Sequence, residues 1–326
     1  MSLVEDLFES EISLEFDQLL HDFEKYILKN KKKNKIENFP ELILIPKRWL
    51  EAFAGLRDRW LWLLGLPERE YCFRIKLFTG CLQDYFDGYL IEDWLQALRK
   101  NPFGYLPEIL TRLTMILQSP RYKRIASDIK YEVKERNISL EENIRALIGV
   151  QLRTLAIRFE LYYVHEYVKE ITSIELRQHI KDFTQEIKKP KNFIFVNHQN
   201  KYPVELKFYA RVIEQGGKQG HLHSHFIVLL NGKYHLTDKQ FIEGARSIWD
   251  RVTQGKGYLY QHKPEKDDFM DRNYINGKIV EREDEKSIKL LIKAAEYIGK
   301  NGIGSKTDQY LRIKPLGFEP FACSHG

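Results

Sequence analysis

The stretch His221-Leu-His-Ser-His225, which runs straight into Phe226-Ile-Val-Leu-Leu230 and is closed by Asn231-Gly232, decides the fold. In an extended chain residues i, i+2 and i+4 share a face, so His221, His223 and His225 point the same way. The opposite face reads Leu222, Ser224, Phe226, Val228 and Leu230, and the histidine face continues as Ile227 and Leu229. A strand apolar on both sides over its second half is a central strand buried in a sheet, with the polar trio at one end. Asn231-Gly232 supplies the turn that stops it. A histidine-rich strand end facing water is the plainer reading, but three imidazoles on one face of a buried strand favour a divalent-metal site, because neutral imidazole is the commonest metal ligand.

Outward from this strand the chain alternates strands with helices. Residues 204–214 alternate strongly, and Gly216-Gly217 and Gly220 turn them back into the histidine strand, so the two strands are expected as antiparallel neighbours with Glu214 near His221. Residues 154–163 and 192–196 read as further strands. Ser139-Leu-Glu-Glu142 has the form of a capping box that opens a helix, and residues 173–187 form an amphipathic helix. Downstream come a helix over 238–249, the stretch Val252-Thr-Gln-Gly-Lys-Gly257, a short strand 258–260, a charged loop over 262–285 and a last helix over 284–299. The pattern predicts an α+β fold.

The N-terminal part reads differently. Apolar residues recur at helical spacing over 1–28 and again over 46–125, with the lysine-rich run 29–35 between them read as a solvated loop. Trp49, Trp60, Trp62 and Trp94 interleave with arginines, a mixture suited to stacking on bases but at helical spacing more often a core with a charged face. We therefore divide the chain into a helical region, 1–134, and a sheet-bearing domain, 135–326. A formal charge of +6 permits an anionic partner without requiring one. Three cysteines without a CxxC pair argue against a disulfide framework, the apolar runs are shorter than a membrane span, and the acidic start is unlike a signal peptide. A cytoplasmic protein with no membrane contact is the expectation.

A second constellation lies on the last helix, Tyr297-Ile-Gly-Lys300. Tyr297 and Lys300 are i and i+3 and leave the same helix face, so both reach one phosphate. Alone they would be a half-buried phenol and a surface cation. Beside a metal they acquire a use, since a phenol is a poor nucleophile near neutral pH and needs a cation to favour phenolate and a metal to neutralise a phosphodiester.

The order of these features, from Leu155-Ala-Ile-Arg-Phe-Glu-Leu161 through Glu214, His223-Ser-His225, Asn231, Trp249 and Gly255/Gly257 to Tyr297-Ile-Gly-Lys300, resembles the inovirus-type replication proteins and their prophage relatives, the YagK/YfjJ C-terminal domain group of HUH endonucleases. The resemblance covers residues 135–326. It implies a ferredoxin-like sheet, with the histidine pair on a central strand and the tyrosine on a facing helix. It also implies nicking of one DNA strand through a 5′-phosphotyrosine, with a free 3′-hydroxyl that starts rolling-circle replication of a phage, prophage or plasmid. Carried over, His223 and His225 are the metal pair, Tyr297 the nucleophile and Lys300 its helper. Mg²⁺ or Mn²⁺ is the implied cofactor, and His221 or Glu214 completes its shell, with His221 preferred on strand geometry. Single-stranded origin DNA is the implied partner, with a host helicase or polymerase beside it. Ser224 stands where the family usually has a bulky apolar residue, so His221-Leu-His223 is a second way to place the pair. Two other functions stay open: a DNA-binding regulator without the chemistry, and a metallonuclease in which water attacks.

Overall fold

A computed structural model describes residues 7–33, 45–189, 193–197, 200–216, 220–233, 237–261, 274–300 and 310–324. The chain divides into two compact units, residues 1–130 with 312–317, and residues 131–311 with 318–326.

The first unit packs helices α1 (Glu9–Lys33), α2 (Lys47–Gly55), α3 (Arg57–Leu64), α4 (Phe73–Tyr85), α5 (Ile91–Lys100) and α6 (Pro102–Gln118), with a short strand β1 (Arg69–Tyr71). Its centre is aromatic: Phe16 stacks on Trp60 at 5.8 Å and meets Phe78 edge-on at 5.2 Å. Trp60 and Trp94 are buried, while Arg59, Arg69 and Arg74 pair with carboxylates of α1. The tryptophans here build a core and the arginines lace it to α1. The lysine run does not end α1: the helix continues to Lys33, because lysine is a good helix former and cations suit a helix C-terminus. Lys35 lies outside the described residues.

Helix α7 (Pro120–Val150) follows, and the division between the units falls within it. Ser139 therefore does not cap a helix start. No proline or glycine interrupts residues 121–138, so the helix begins at Pro120 and residues 139–142 lie inside it.

The second unit is built on one antiparallel sheet. After β2 (Arg153–Tyr163) come α8 (Ser173–Ile187), the small hairpin β3 (Ile194–Asn197) and β4 (Asn200–Pro203), then β5 (Leu206–Gly216) and β6 (His221–Asn231). They are followed by α9 (Lys239–Val252), β7 (Gly257–Tyr260), β8 (Lys278–Glu281) and α10 (Glu285–Gly299); the chain then gives β9 (Ile313–Pro315) to the first unit and returns with β10 (Phe321–Cys323). The strand order is β10-β5-β6-β2-β7, and β8 pairs with the first residues of β2. Residues 278–281 are thus a strand and not part of a charged loop, since Ile279 and Val280 pack as β-branched residues do. Residues 262–273 lie outside the described ones. β9 pairs with β1 in the first unit.

The mixed helices and antiparallel sheet make the fold α+β. β6 is central, flanked by β5 and β2. One face of the sheet packs Phe159, Phe226 and Ile213 against α8 and α9, with Phe183 and Trp249. The other packs Ala156, Val212, Ile227 and Leu229 against α10 and residues 140–148 of α7. The helix over 173–187 starts with a capping box in which the Thr172 hydroxyl accepts from the Glu175 amide and the Glu175 carboxylate accepts from the Thr172 amide.

Candidate metal and tyrosine centre

Register sets the site. Glu214 of β5 stands opposite His223 of β6, and Glu160 of β2 stands opposite His225. Residues directly paired across an antiparallel ladder share a face, so these four side chains lie together on the α10 side, in line with Ile227 and Leu229. All four are buried.

The atoms converge on one point. His223 Nδ1 lies 3.1 Å from the His221 carbonyl oxygen. A carbonyl only accepts, so Nδ1 carries the hydrogen and Nε2 keeps its lone pair, 3.7 Å from Glu214 Oε2. His225 Nδ1 lies 2.9 Å from Glu160 Oε1, and its Nε2 lies 3.1 Å from the same Glu214 Oε2. Ligand atoms of Glu214, His223 and His225 all fall within 4.8 Å of one another. Metal-binding histidines are held in this way, one ring nitrogen fixed by a carbonyl or carboxylate while the other faces the ion. The second carboxylate oxygen, Glu214 Oε1, is buried with no hydrogen-bond partner. Two imidazoles and a carboxylate with an unspent oxygen fit a divalent cation.

Electrostatics keep His223 ready as a neutral donor and hold His225 against its two carboxylates. Burial and the neighbouring His225 charge hold His223 down at about 4, so it is neutral near pH 7. Burial opposes the charged form of His225, but Glu160 and Glu214 outweigh it and raise this imidazole. Burial likewise pushes Glu160 up, yet the His225 hydrogen bond and charge, the Tyr162 hydroxyl and Arg158 bring it to about 2. Glu160 is therefore ionised and holds His225 from behind.

Tyr297 completes the cluster from the last turn of α10. Its hydroxyl donates to Glu214 Oε2 at 3.4 Å, and its ring meets His225 edge-on at 5.1 Å. The Arg158 guanidinium carbon lies 5.0 Å from the Tyr297 ring centroid. The structure thus gathers four of the sequence-predicted residues, Glu214, His223, His225 and Tyr297. His221 stays outside the trio; it sits at the strand end opposite Gly216, its ring 6.5 Å from that of His165. Strand alternation ranks His221 above Glu214, but the cross-strand pairing places the glutamate in the trio. Lys300 caps α10 and is exposed, and its side chain makes no hydrogen bond or ion pair among the described residues. The cation beside the phenol is Arg158.

Sequence alone does not mark Arg158, Glu160 and Tyr162 as site residues. A signal exists: Arg158 and Glu160 are charges at i and i+2 in an otherwise apolar strand, and buried charges come paired. Tyr162 stacks on His223 at 5.1 Å and on Tyr258 at 5.4 Å, and the Tyr258 and Tyr260 side chains reach solvent. The end of β2 is fixed by Trp249 Nε1, which donates to the Tyr162 carbonyl at 3.0 Å. Gly257 permits this, because a Cβ there would lie 2.3 Å from Trp249 Nε1. Compared with protein-family models, with curated proteins and with solved structures, the chain gives no match.

Proposed function

We propose that this chain is a metal-dependent endonuclease that nicks one DNA strand through Tyr297, of the HUH kind, and starts rolling-circle replication of a phage, prophage or plasmid. The observation that carries it is a phenol hydroxyl 3.4 Å from the carboxylate oxygen on which both histidine Nε2 atoms converge. Three features lend support. The succession β2-α8-β5-β6-α9-β7, with spatial order β5-β6-β2-β7, suits a ferredoxin-like core. The histidine pair lies on the central strand, and the tyrosine lies on a helix over that face. Exposed Tyr258 and Tyr260 beside Tyr162 offer rings on which single-stranded bases stack.

Glu214, His223 and His225 would hold Mg²⁺ or Mn²⁺. When bound, the ion supplies charge neutralisation at a phosphodiester. Tyr297 Oη forms a bond to phosphorus as the bond from phosphorus to the 3′-oxygen breaks. The phenolic proton passes by way of Glu214 to water, and the departing 3′-oxygen takes a proton from water, so one proton is released and one taken up. Protons balance, and the products are a 5′-phosphotyrosine and a free 3′-hydroxyl. Arg158 over the Tyr297 ring places a cation beside the reacting phenol. Glu160 stands 2.9 Å from His225 Nδ1 and pairs with it by charge. Single-stranded origin DNA is the proposed substrate, and a host helicase or polymerase would act on the freed 3′ end.

The test is incubation with single-stranded oligonucleotides and Mn²⁺ followed by denaturing electrophoresis. A covalent protein–DNA band is expected. Cleavage without a covalent product would mean attack by water. DNA that is bound but never cut would mean a regulator that keeps the fold without the chemistry.

A further inference from the structure

On the other side of the sheet, between α8 and the β5–β10 edge, lies a cavity of about 280 Å³. Its wall carries Arg177, Lys181 and Lys188 from α8 and Arg211 from β5, with Tyr209 and Phe318 as aromatic surfaces, and no acidic side chain lines it. Arg177, Lys181 and Lys188 are i, i+4 and i+11, which places all three on one face of the helix. Only Lys188, the C-cap residue, sits where a helix C-terminus by itself favours a cation.

Elsewhere in this unit arginines meet carboxylates: Arg145, Arg153, Arg158, Arg251 and Arg282 each pair with a glutamate. The four cations of the cavity meet none among the described residues. Arg211 Nη1 donates to the Pro320 carbonyl at 3.0 Å, and its guanidinium carbon lies 5.4 Å from the Phe318 ring centroid. The Lys188 ammonium lies 4.8 Å from the Tyr209 ring centroid. Burial pulls Arg211 down to about 10, so it stays protonated at neutral pH with no anion to offset its desolvation. Four like charges turned into one concavity repel one another, and an anion between them removes that cost.

We propose that this cavity is a phosphate-binding site, separate from the metal and tyrosine centre, that takes a phosphoester carried on a nucleic-acid strand or on a free nucleotide. Guanidinium and ammonium donors are the groups that recognise phosphate oxygens, and the two rings suit the sugar or base attached to it.

The test uses the full chain and two variants, Arg177→Ala/Lys181→Ala and Lys181→Glu/Lys188→Glu. All of these side chains are exposed, so the core is untouched. Binding of inorganic phosphate, of a deoxynucleoside monophosphate and of a single-stranded 20-mer is measured by calorimetry or anisotropy, in chloride of varied concentration. Loss of two phosphate contacts weakens the ligand on the order of tenfold or more. If the source is a strand, the slope of log K against log salt falls by about 1.4 for two cations removed. If the source is a free nucleotide, mononucleotide or phosphate binding weakens while the strand's slope stays. Unchanged binding of all three ligands, or no measurable binding to the wild-type chain, overturns the proposal. Covalent adduct formation by the wild-type chain with Mn²⁺ is scored alongside, so failure of the nicking reading and failure of this one are told apart.

Discussion

Glu214 and His223 face each other across the β5–β6 ladder, and the glutamate's Oε2 lies within 3.7 Å of both His223 Nε2 and His225 Nε2. One carboxylate oxygen is thereby shared by two imidazoles and a phenol, which no single segment of the chain contains. Each group reaches it from a different element: β5, β6 and α10.

Removing a donor is expected to remove the ion. Glu214→Ala, His223→Ala and His225→Ala should each abolish tight Mn²⁺ binding in titration calorimetry. Glu160→Gln leaves the three donors in place but loosens His225, and a loss of about 10- to 100-fold in affinity is expected. Full affinity in Glu160→Gln would mean that the His225–Glu160 contact plays no part in binding.

The buried sheet face makes its own demand. Phe226 stacks on Phe159 at 5.2 Å and meets Phe183 edge-on at 5.3 Å, and all three are buried. Phe226→Ala is expected to cost about 3–5 kcal/mol in urea unfolding, because the surrounding strands and helices cannot collapse onto the space.

Residues 312–317 are held to the first unit by charge as well as by the β1–β9 pairing. Arg312 Nε donates to Asp17 Oδ2 at 3.0 Å, and both side chains are buried. Arg312→Ala takes from Asp17 its 3.0 Å partner and leaves Arg74 at 3.6 Å, and a loss of about 3–5 kcal/mol is expected. An unchanged unfolding midpoint would contradict the docking of this segment.

Cys81 is fully buried in the first unit, and burial pushes its thiol from the ordinary 9.0 up to about 12. In the native chain at pH 8 it should resist alkylation and react only after unfolding. A pKa raised in the folded state gives stability that is whole below pH 9.0 and is lost as pH rises toward 12, so the first unit should weaken in alkali. Rapid labelling of Cys81 in folded protein would contradict this burial.

Much of this was legible in sequence, and the reasons are local. Alternation in β6 and β5, the glycines between them and the apolar spacing of α8 each act within a few positions, so the hairpin and this helix could be read directly. The β1–β9 pairing could not, because strands of three residues carry no period and their partner lies about 240 positions away. The site divides in the same way. His223 and His225 announce themselves on one strand, and Tyr297 on one helix face. The choice of Glu214 over His221, and of Arg158 over Lys300 beside the phenol, depends on register between strands and on packing across the sheet, which spacing along one element does not encode.

The most direct measurement is covalent capture. Wild-type protein with a single-stranded oligonucleotide and Mn²⁺ should give a protein–DNA adduct that survives denaturation, with the DNA mapped by mass spectrometry to Tyr297, while Tyr297→Phe binds the strand and yields none. Cleavage and an adduct that persist in Tyr297→Phe would contradict the account.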